Sequence, residues 1–301
     1  MNFGLSENNS NEKNDSILSK IIPIVIIVVV ALVVFILVFT ITNSIFNKKD
    51  TKPKQQTNTT QKLDIASQDV KILYRYVTTG TNGIRVDKFV KNSKVDKTSF
   101  TDEEKLYFAL QYAEVEDFEN LGEHNEKEQP LYNIPMSKIK KYMTRFFGNN
   151  VKLEEDVSID YLFSFKINDL SYAHLTYSEE HEGYDAAFSK APTTEGKLVD
   201  EFYTKLVSAY KKPNDGSVYL EEKVIYTDLE ENGDKYKLSI YKDYDKNNVI
   251  ETKNVTKESL ENKPIKIEDY LDNASTITYV FKPNQLSQNA LYFDSSSIKT
   301  K

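Results

Sequence analysis

The sequence predicts an α+β protein: an N-terminal transmembrane helix, a short helical segment, and then an antiparallel, curved β-sheet. Three observations carry that expectation. A charge-free apolar run occupies Ile21–Thr42. Apolar residues recur at three- to four-residue spacing between positions 63 and 147, and from Val151 onward the period shortens to two. Helices grouped ahead of strands, with no alternation between them, favour α+β over a parallel α/β architecture.

The first twenty residues are Asn- and Ser-rich without apolar periodicity, the composition of a disordered tail. The run IIPIVIIVVVALVVFILVFTIT follows, and as a helix it is about 30 Å long, the thickness of a bilayer's hydrocarbon core. Pro23 lies in its first turn, where a missing N–H does little harm. The run is too long for a signal-peptide core and lacks a small-residue cleavage pattern, so residues 21–46 are expected to be a lipid-embedded anchor. Residues 47–62 (NKKDTKPKQQTNTTQK) form a polar linker that stands the following part off the membrane.

Charge is unevenly distributed. The chain nets −7; the tail to Lys20 carries −1 and the linker +4, leaving −10 on residues 63–301. So acidic a domain opposes phosphate backbones, and nucleic acid is not an expected partner. Cysteine is absent from the sequence, which removes disulfides, Cys-ligated metals and thiol nucleophiles. The nine glycines leave few places for Gly-rich cofactor loops. Lysines are denser after the apolar run than before it, and taken alone this sets the large domain in the cytoplasm. Long domains translocate largely regardless of charge, however, and a short polar tail is an ordinary cytoplasmic stub. The expected orientation is therefore N-terminus inside, domain outside.

Residues 63–150 form the helical segment. Leu63, Ala66, Val70, Leu73 and Val77 make one apolar stripe, with Gly80 as its stop. Thr101-Asp-Glu-Glu104 is a capping box opening a second helix with Leu106, Leu110 and Ala113 inward. Pro135 leads a third, with Ile139, Met143, Phe146 and Phe147 aligned and Gly148 at its end. Residues 151–301 are the β-rich part of the same domain. The run 161–167 places Phe163, Phe165 and Ile167 on one face, and Asn168-Asp169 turns the chain into 171–177. Segment 197–210 suits a helix through Leu198, Phe202, Leu206 and Ala209, while the Pro213–Gly216 turn suits a hairpin; coil or helix passing into a strand near Tyr203 satisfies both. Asn232-Gly233 between two β-rich runs signals a tight hairpin, and 276–282 with 290–298 form a closing one.

This element order is similar to the cone-shaped, curved-sheet folds of nuclear-transport-factor-like or cystatin-like proteins. The anchor, the Lys/Thr linker and segments such as KKYMTRFFGNNVKL and VYLEEKVIY together resemble uncharacterised single-pass envelope proteins of low-GC Gram-positive bacteria. The resemblance implies a location at the cell envelope and no particular activity.

Segment 243–254 (DYDKNNVIETKN) resembles a calcium loop: Asp243, Asp245, Asn247 and Glu251 take positions 1, 3, 5 and 9, supplying the alternating oxygens a hard cation needs. Asn248 replaces the turn glycine and Asn254 the bidentate Glu, so any affinity is weak. His174 and His181 lack metalloprotease spacing and are expected on a strand and in the loop after it. Of five Ser-x-x-Lys matches only Ser137–Lys140 falls on an expected helix, and no K-T-G accompanies it. Acidic stretches 114–128 and 154–156 suit solvated surfaces. The aromatic strands suggest a core more than a glycan platform. The function these features favour is a non-enzymatic, membrane-anchored module binding an envelope ligand or protein, with no cofactor beyond weak calcium. The rivals are an envelope-polymer hydrolase or transferase and a cytoplasm-facing scaffold.

Overall fold

A computed structural model describes residues 59–78, 86–116, 122–125, 131–149, 151–153, 157–167, 169–192, 197–233, 235–284 and 290–300. The chain divides into Met1–Thr57 and the compact unit Asn58–Lys301, a boundary inside the expected linker. The expected anchor Ile21–Thr42 lies outside the described residues, and among those described no helix is long and apolar enough to cross a membrane.

Two antiparallel sheets and a few helices make the second unit α+β, and one of the two sheets curls into a half-barrel. The sequence predicted one sheet. The larger sheet contains β1 (Gln61–Lys62), β2 (Lys94–Asp96), β8 (Phe202–Lys211), β9 (Val218–Asn232), β10 (Lys235–Tyr241), β11 (Val249–Val255), β12 (Ser275–Pro283) and β13 (Leu291–Lys299). Its main path runs β1-β8-β9-β12-β13-β2. The long β9 is the spine: its first half pairs with β8 and β12, and its second half carries the β10–β11 hairpin. The smaller sheet runs β3 (Glu123–Asn125), β4 (Leu131–Pro135), β7 (Gly183–Ser189), β6 (Leu170–Ser178), β5 (Ser158–Ile167). The second sheet escaped the sequence reading because β3 and β4 are short and lie between helices, where nothing in the local period marks them.

Local signals explain the helices. Helix α1 (Gln68–Thr78) buries Val70, Leu73, Tyr76 and Val77, starting later than the apolar stripe implied. Helix α2 (Asp102–Glu116) opens on the expected capping box: Thr101 N–H donates to Glu104 Oε2 at 2.9 Å, and Glu104 N–H to Thr101 Oγ1 at 3.3 Å. Helix α3 (Met136–Phe147) follows Pro135, buries the four expected residues, and stops at Gly148 with φ 76°. A π-helical turn, Val86–Val90, lies between α1 and β2, and a short α4 (Lys257–Asn262) precedes a 3₁₀ turn, Ile267–Tyr270.

Helix α2 departs from the amphipathic expectation. Every residue from Leu106 to Ala113 is buried, polar Gln111 included. Tyr107 meets Tyr161 of the smaller sheet, Phe108 meets Phe89 of the π-helical turn and stacks on Phe146 of α3, and Tyr112 stacks on Tyr76 of α1. A helix covered on every side needs no polar stripe. The main core continues through Phe89, Phe100, Phe147, Tyr279 and Phe293, largely in edge-to-face contacts. A separate small core, built on Ile225, Leu238, Ile240, Leu260, Ile267 and Ala274, lies on the opposite face of β9.

Among the described residues one carboxylate lies inside the main core, that of Glu222, at 0% exposure. It sits between Leu206 and Ile277 in the strand ladder and accepts hydrogen bonds from Tyr74 Oη of α1 and from Tyr279 Oη at 2.7 Å. A buried carboxylate requires such donors, and each charge-assisted bond contributes about 1.5–3 kcal/mol. Residues 58–301 expressed alone should therefore unfold in one cooperative urea transition, and Tyr74→Phe or Tyr279→Phe should each lower its free energy by about 1–3 kcal/mol. An unchanged midpoint in both variants would separate this carboxylate from the stability of the unit.

Candidate functional site

The four expected calcium ligands are not presented as a set. Asp243 opens the β10–β11 loop, and its carboxylate accepts from Asn247 N–H at 2.8 Å, Asn248 N–H at 2.9 Å and Asn248 Nδ2 at 2.6 Å. The aspartate thus closes its own turn, a local use to which Asp is well suited. Asn247 is tied to Asp243 through its backbone, and Asp245 lies exposed in the turn. The expected loop ends early because β-branched Val249 and Ile250 begin β11. That puts Glu251 on a strand opposite Ile240, where its carboxylate accepts from Tyr270 Oη at 2.7 Å and Lys253 Nζ at 3.1 Å. Among the described residues no three His, Cys, Asp or Glu side chains group as metal ligands.

The histidines take the expected strand and turn positions. His174 on β6 pairs with its cross-strand neighbour Asp160, Nδ1 to Oδ1 at 2.9 Å, and bonds from His174 and then Tyr172 hold the Asp160 carboxyl below its usual value. His181, in the turn between β6 and β7, meets Asp185 at 2.8 Å and Ser178 Oγ at 3.3 Å, both through Nδ1. A nucleophile–base relay needs serine and carboxylate on opposite ring nitrogens, so this arrangement is a turn clasp. The turn closes against Gly183, where a Cβ would come 2.5 Å from the Ile134 carbonyl oxygen. Ser137 is exposed on α3, whereas Ser239 and Ser296 are buried.

Two groupings were not legible from spacing. The first is Glu114, near the end of α2. Its carboxylate accepts from Tyr161 Oη at 2.7 Å, Ser164 N–H at 2.7 Å and Ser164 Oγ at 2.9 Å. It holds β5 where the pairing with β6 shifts register, and burial followed by the Glu114 charge pushes the Tyr161 phenol well above its ordinary value. Sequence placed Glu114 in a solvated acidic run; only the fold brings β5 beneath it. Of that run, 117–121 and 126–128 lie outside the described residues, as does 154–156.

The second is the open face of the larger sheet, opposite the main core. Register places three rows across its strands. The first is Lys62, Tyr210, Tyr219, Val280, Ser295 and Asp96. The second is Ser208, Glu221, Thr278, Ser297 and Lys94, and the third is Lys205, Lys223, Thr276 and Lys299. None of these side chains is buried. The Tyr210 and Tyr219 rings stack with centroids 4.9 Å apart and an interplanar angle of 2°. Lys212 Nζ lies 4.3 Å from the Tyr219 centroid, and its bond to the Tyr219 hydroxyl raises its pKa. The rows hold five lysines, Lys62, Lys94, Lys205, Lys223 and Lys299, against the acids Glu221 and Asp96. Of these, Lys205 pairs with Glu268 at 2.7 Å and Lys223 donates to Thr276 Oγ1 at 2.9 Å. On a unit whose residues 63–301 carry −10, this is a local reversal of sign. The period-two pattern located these strands but not their pairing, so the tyrosine stack and the lysine rows could not be assembled from sequence.

No protein family, no curated protein and no solved structure matches the chain.

Two outcomes are expected here. With Asp243 engaged by its own loop, millimolar calcium should leave the melting temperature unchanged; a rise abolished by Asp245→Ala would restore the ion site. The Glu251 carboxyl, held below its ordinary 4.5 by Tyr270 and then Lys253, adds stability above that value and loses it as pH falls through its lowered value. Glu251→Gln should therefore flatten the acid limb of a melting-temperature profile below about pH 4.5, and an unaltered limb would remove the residue from acid sensitivity.

Proposed function

We propose that the chain is a membrane-tethered, extracytoplasmic, non-enzymatic module that binds its ligand on the open face of the larger sheet. The carrying observation is the concentration of lysine, hydroxyl and stacked tyrosine side chains on one uncovered face of an otherwise acidic unit. Local potential of sign opposite to the net charge guides an anionic partner to one surface while the remainder repels it. The apolar run Ile21–Thr42 and the polar linker support the tether. The histidine and serine clusters support binding over catalysis, because each is engaged in a local turn or strand contact.

Two measurements test this reading. Protease added to intact cells freed of their wall should cleave beyond residue 47; full protection until lysis would make the chain the cytoplasm-facing scaffold that the lysines near the span favour. In neutral micelles at low salt and pH 7, the full-length chain should be retained on a sulfonated resin despite its sequence pI of 5.3, and the double variant Lys94→Glu, Lys299→Glu should flow through. Flow-through of the unaltered chain, or equal retention of the variant, would remove the face as a binding surface.

A further inference from the structure

We infer that the open face of the larger sheet takes an acidic polysaccharide, one of whose sugar rings lies against Tyr210, braced from behind by Tyr219, and whose carboxylates meet the lysines of the neighbouring rows. The inference rests on the binding face proposed above and names the ligand class. Three rows spaced two residues apart extend about 14 Å along the strands, and the first row crosses six strands at about 4.8 Å each, dimensions suited to an extended polymer.

Three properties of the face select this occupant. Stacking takes the facing sides of the two rings and Lys212 lies over Tyr219, so a sugar ring meets the outer face of Tyr210, whose negative charge attracts its weakly positive C–H groups. The stacked pair is stiff, so little side-chain entropy is lost when a ring settles on it. On the first and second rows stand Ser208, Thr278, Ser295 and Ser297, whose hydroxyls suit a polyol, with Ser295 Oγ donating to Asp294 at 3.2 Å and left to accept. Farther along, Lys94 of β2 and Lys299 of β13 lie exposed at the ends of the second and third rows.

The same residues disfavour the other polyanions. Single-stranded nucleic acid carries a phosphate at every nucleotide, and Glu221 in the middle of the second row and Asp96 at the end of the first would face that continuous charge. A polysaccharide can set its acids beside lysines and its neutral edges beside these carboxylates. An anionic bilayer would be held by apolar side chains entering the interface, yet the large exposed hydrophobics of the described residues, Ile65, Tyr244 and Val249, are absent from the three rows.

The test uses the full-length chain in nanodiscs of phosphatidylcholine alone, titrated calorimetrically at low salt with polygalacturonate oligosaccharides, with dextran as the neutral polymer and oligo-dT as the nucleic acid. Binding of polygalacturonate is expected, with no heat from dextran and at least tenfold weaker binding of oligo-dT. Tyr210→Ala with Tyr219→Ala, and separately Lys94→Glu with Lys299→Glu, should each weaken binding at least tenfold while circular dichroism stays unchanged; these side chains stand on the uncovered face. Dextran binding as tightly as polygalacturonate through the two tyrosines would overturn the acidic class and leave the binding face standing. Tighter binding of oligo-dT, or transfer of the affinity to nanodiscs containing phosphatidylserine, would replace the occupant. Polygalacturonate binding that neither double variant alters, or no binding of any probe, would overturn the inference, and in the second case the resin experiment decides separately whether the face binds anions at all.

Discussion

Everything else in the unit is arranged around a helix that has no solvent side. From Leu106 to Ala113, α2 is enclosed by the smaller sheet, the π-helical turn, α1 and α3. A helix so placed supplies core to two layers at once, and the aromatic side chains give it the reach to do so: Tyr107 and Phe108, in edge contact with each other, meet Tyr161 of the smaller sheet and Phe146 of α3. Enclosure also imposes an accounting of polar groups. Gln111 meets it with its amide nitrogen alone: Nε2 donates to the carbonyls of Arg75 and Tyr76, both at 3.2 Å, which places the end of α1 against the middle of α2, while its buried Oε1 has no hydrogen-bond partner among the described residues.

Two carboxylates extend the same economy. Glu222 joins α1 to the larger sheet through Tyr74 and Tyr279, and Glu114 joins α2 to the smaller sheet through Tyr161 and Ser164. In both, tyrosine spans a hydrophobic layer with its ring and ends on an acid with its hydroxyl, so packing and polar satisfaction come from one side chain. The acids of this acidic unit are therefore of two kinds: some are joints in the interior, others solvated. Of the row lysines, Lys62, Lys94 and Lys299 are exposed on the larger sheet, whereas Lys205 pairs with Glu268 of the 3₁₀ turn and Lys223 donates towards Ala274 and Thr276. The small core on Ile225 and Leu238 covers only the far half of β9.

Local chemistry was legible where it acts over a few residues. The capping box at Thr101 and Glu104, the start of α3 after Pro135, and the hairpin at Asn232-Gly233 each follow from neighbours in sequence. In the last of these, Asn232 pairs with Lys235 and Gly233 has φ 64°, as a two-residue connection demands. The calcium-like spacing shows the limit of such reasoning. Alternating oxygens specify what a loop offers, whereas Asp243 is taken by the backbone of Asn247 and Asn248 and Glu251 by Tyr270, 19 residues further along the chain.

Periodicity and composition were enough to establish that the domain is α+β, that its later strands alternate, where α2 and α3 begin and that its net charge is strongly negative. Only the tertiary structure decided that there are two sheets, that α2 is buried all round, that Glu222 is an interior acid, and that Tyr210 stands against Tyr219. Each of those depends on which strand lies beside which. A shift of one residue in register would have turned Tyr219 inward and Glu222 to solvent, and no local pattern records that choice.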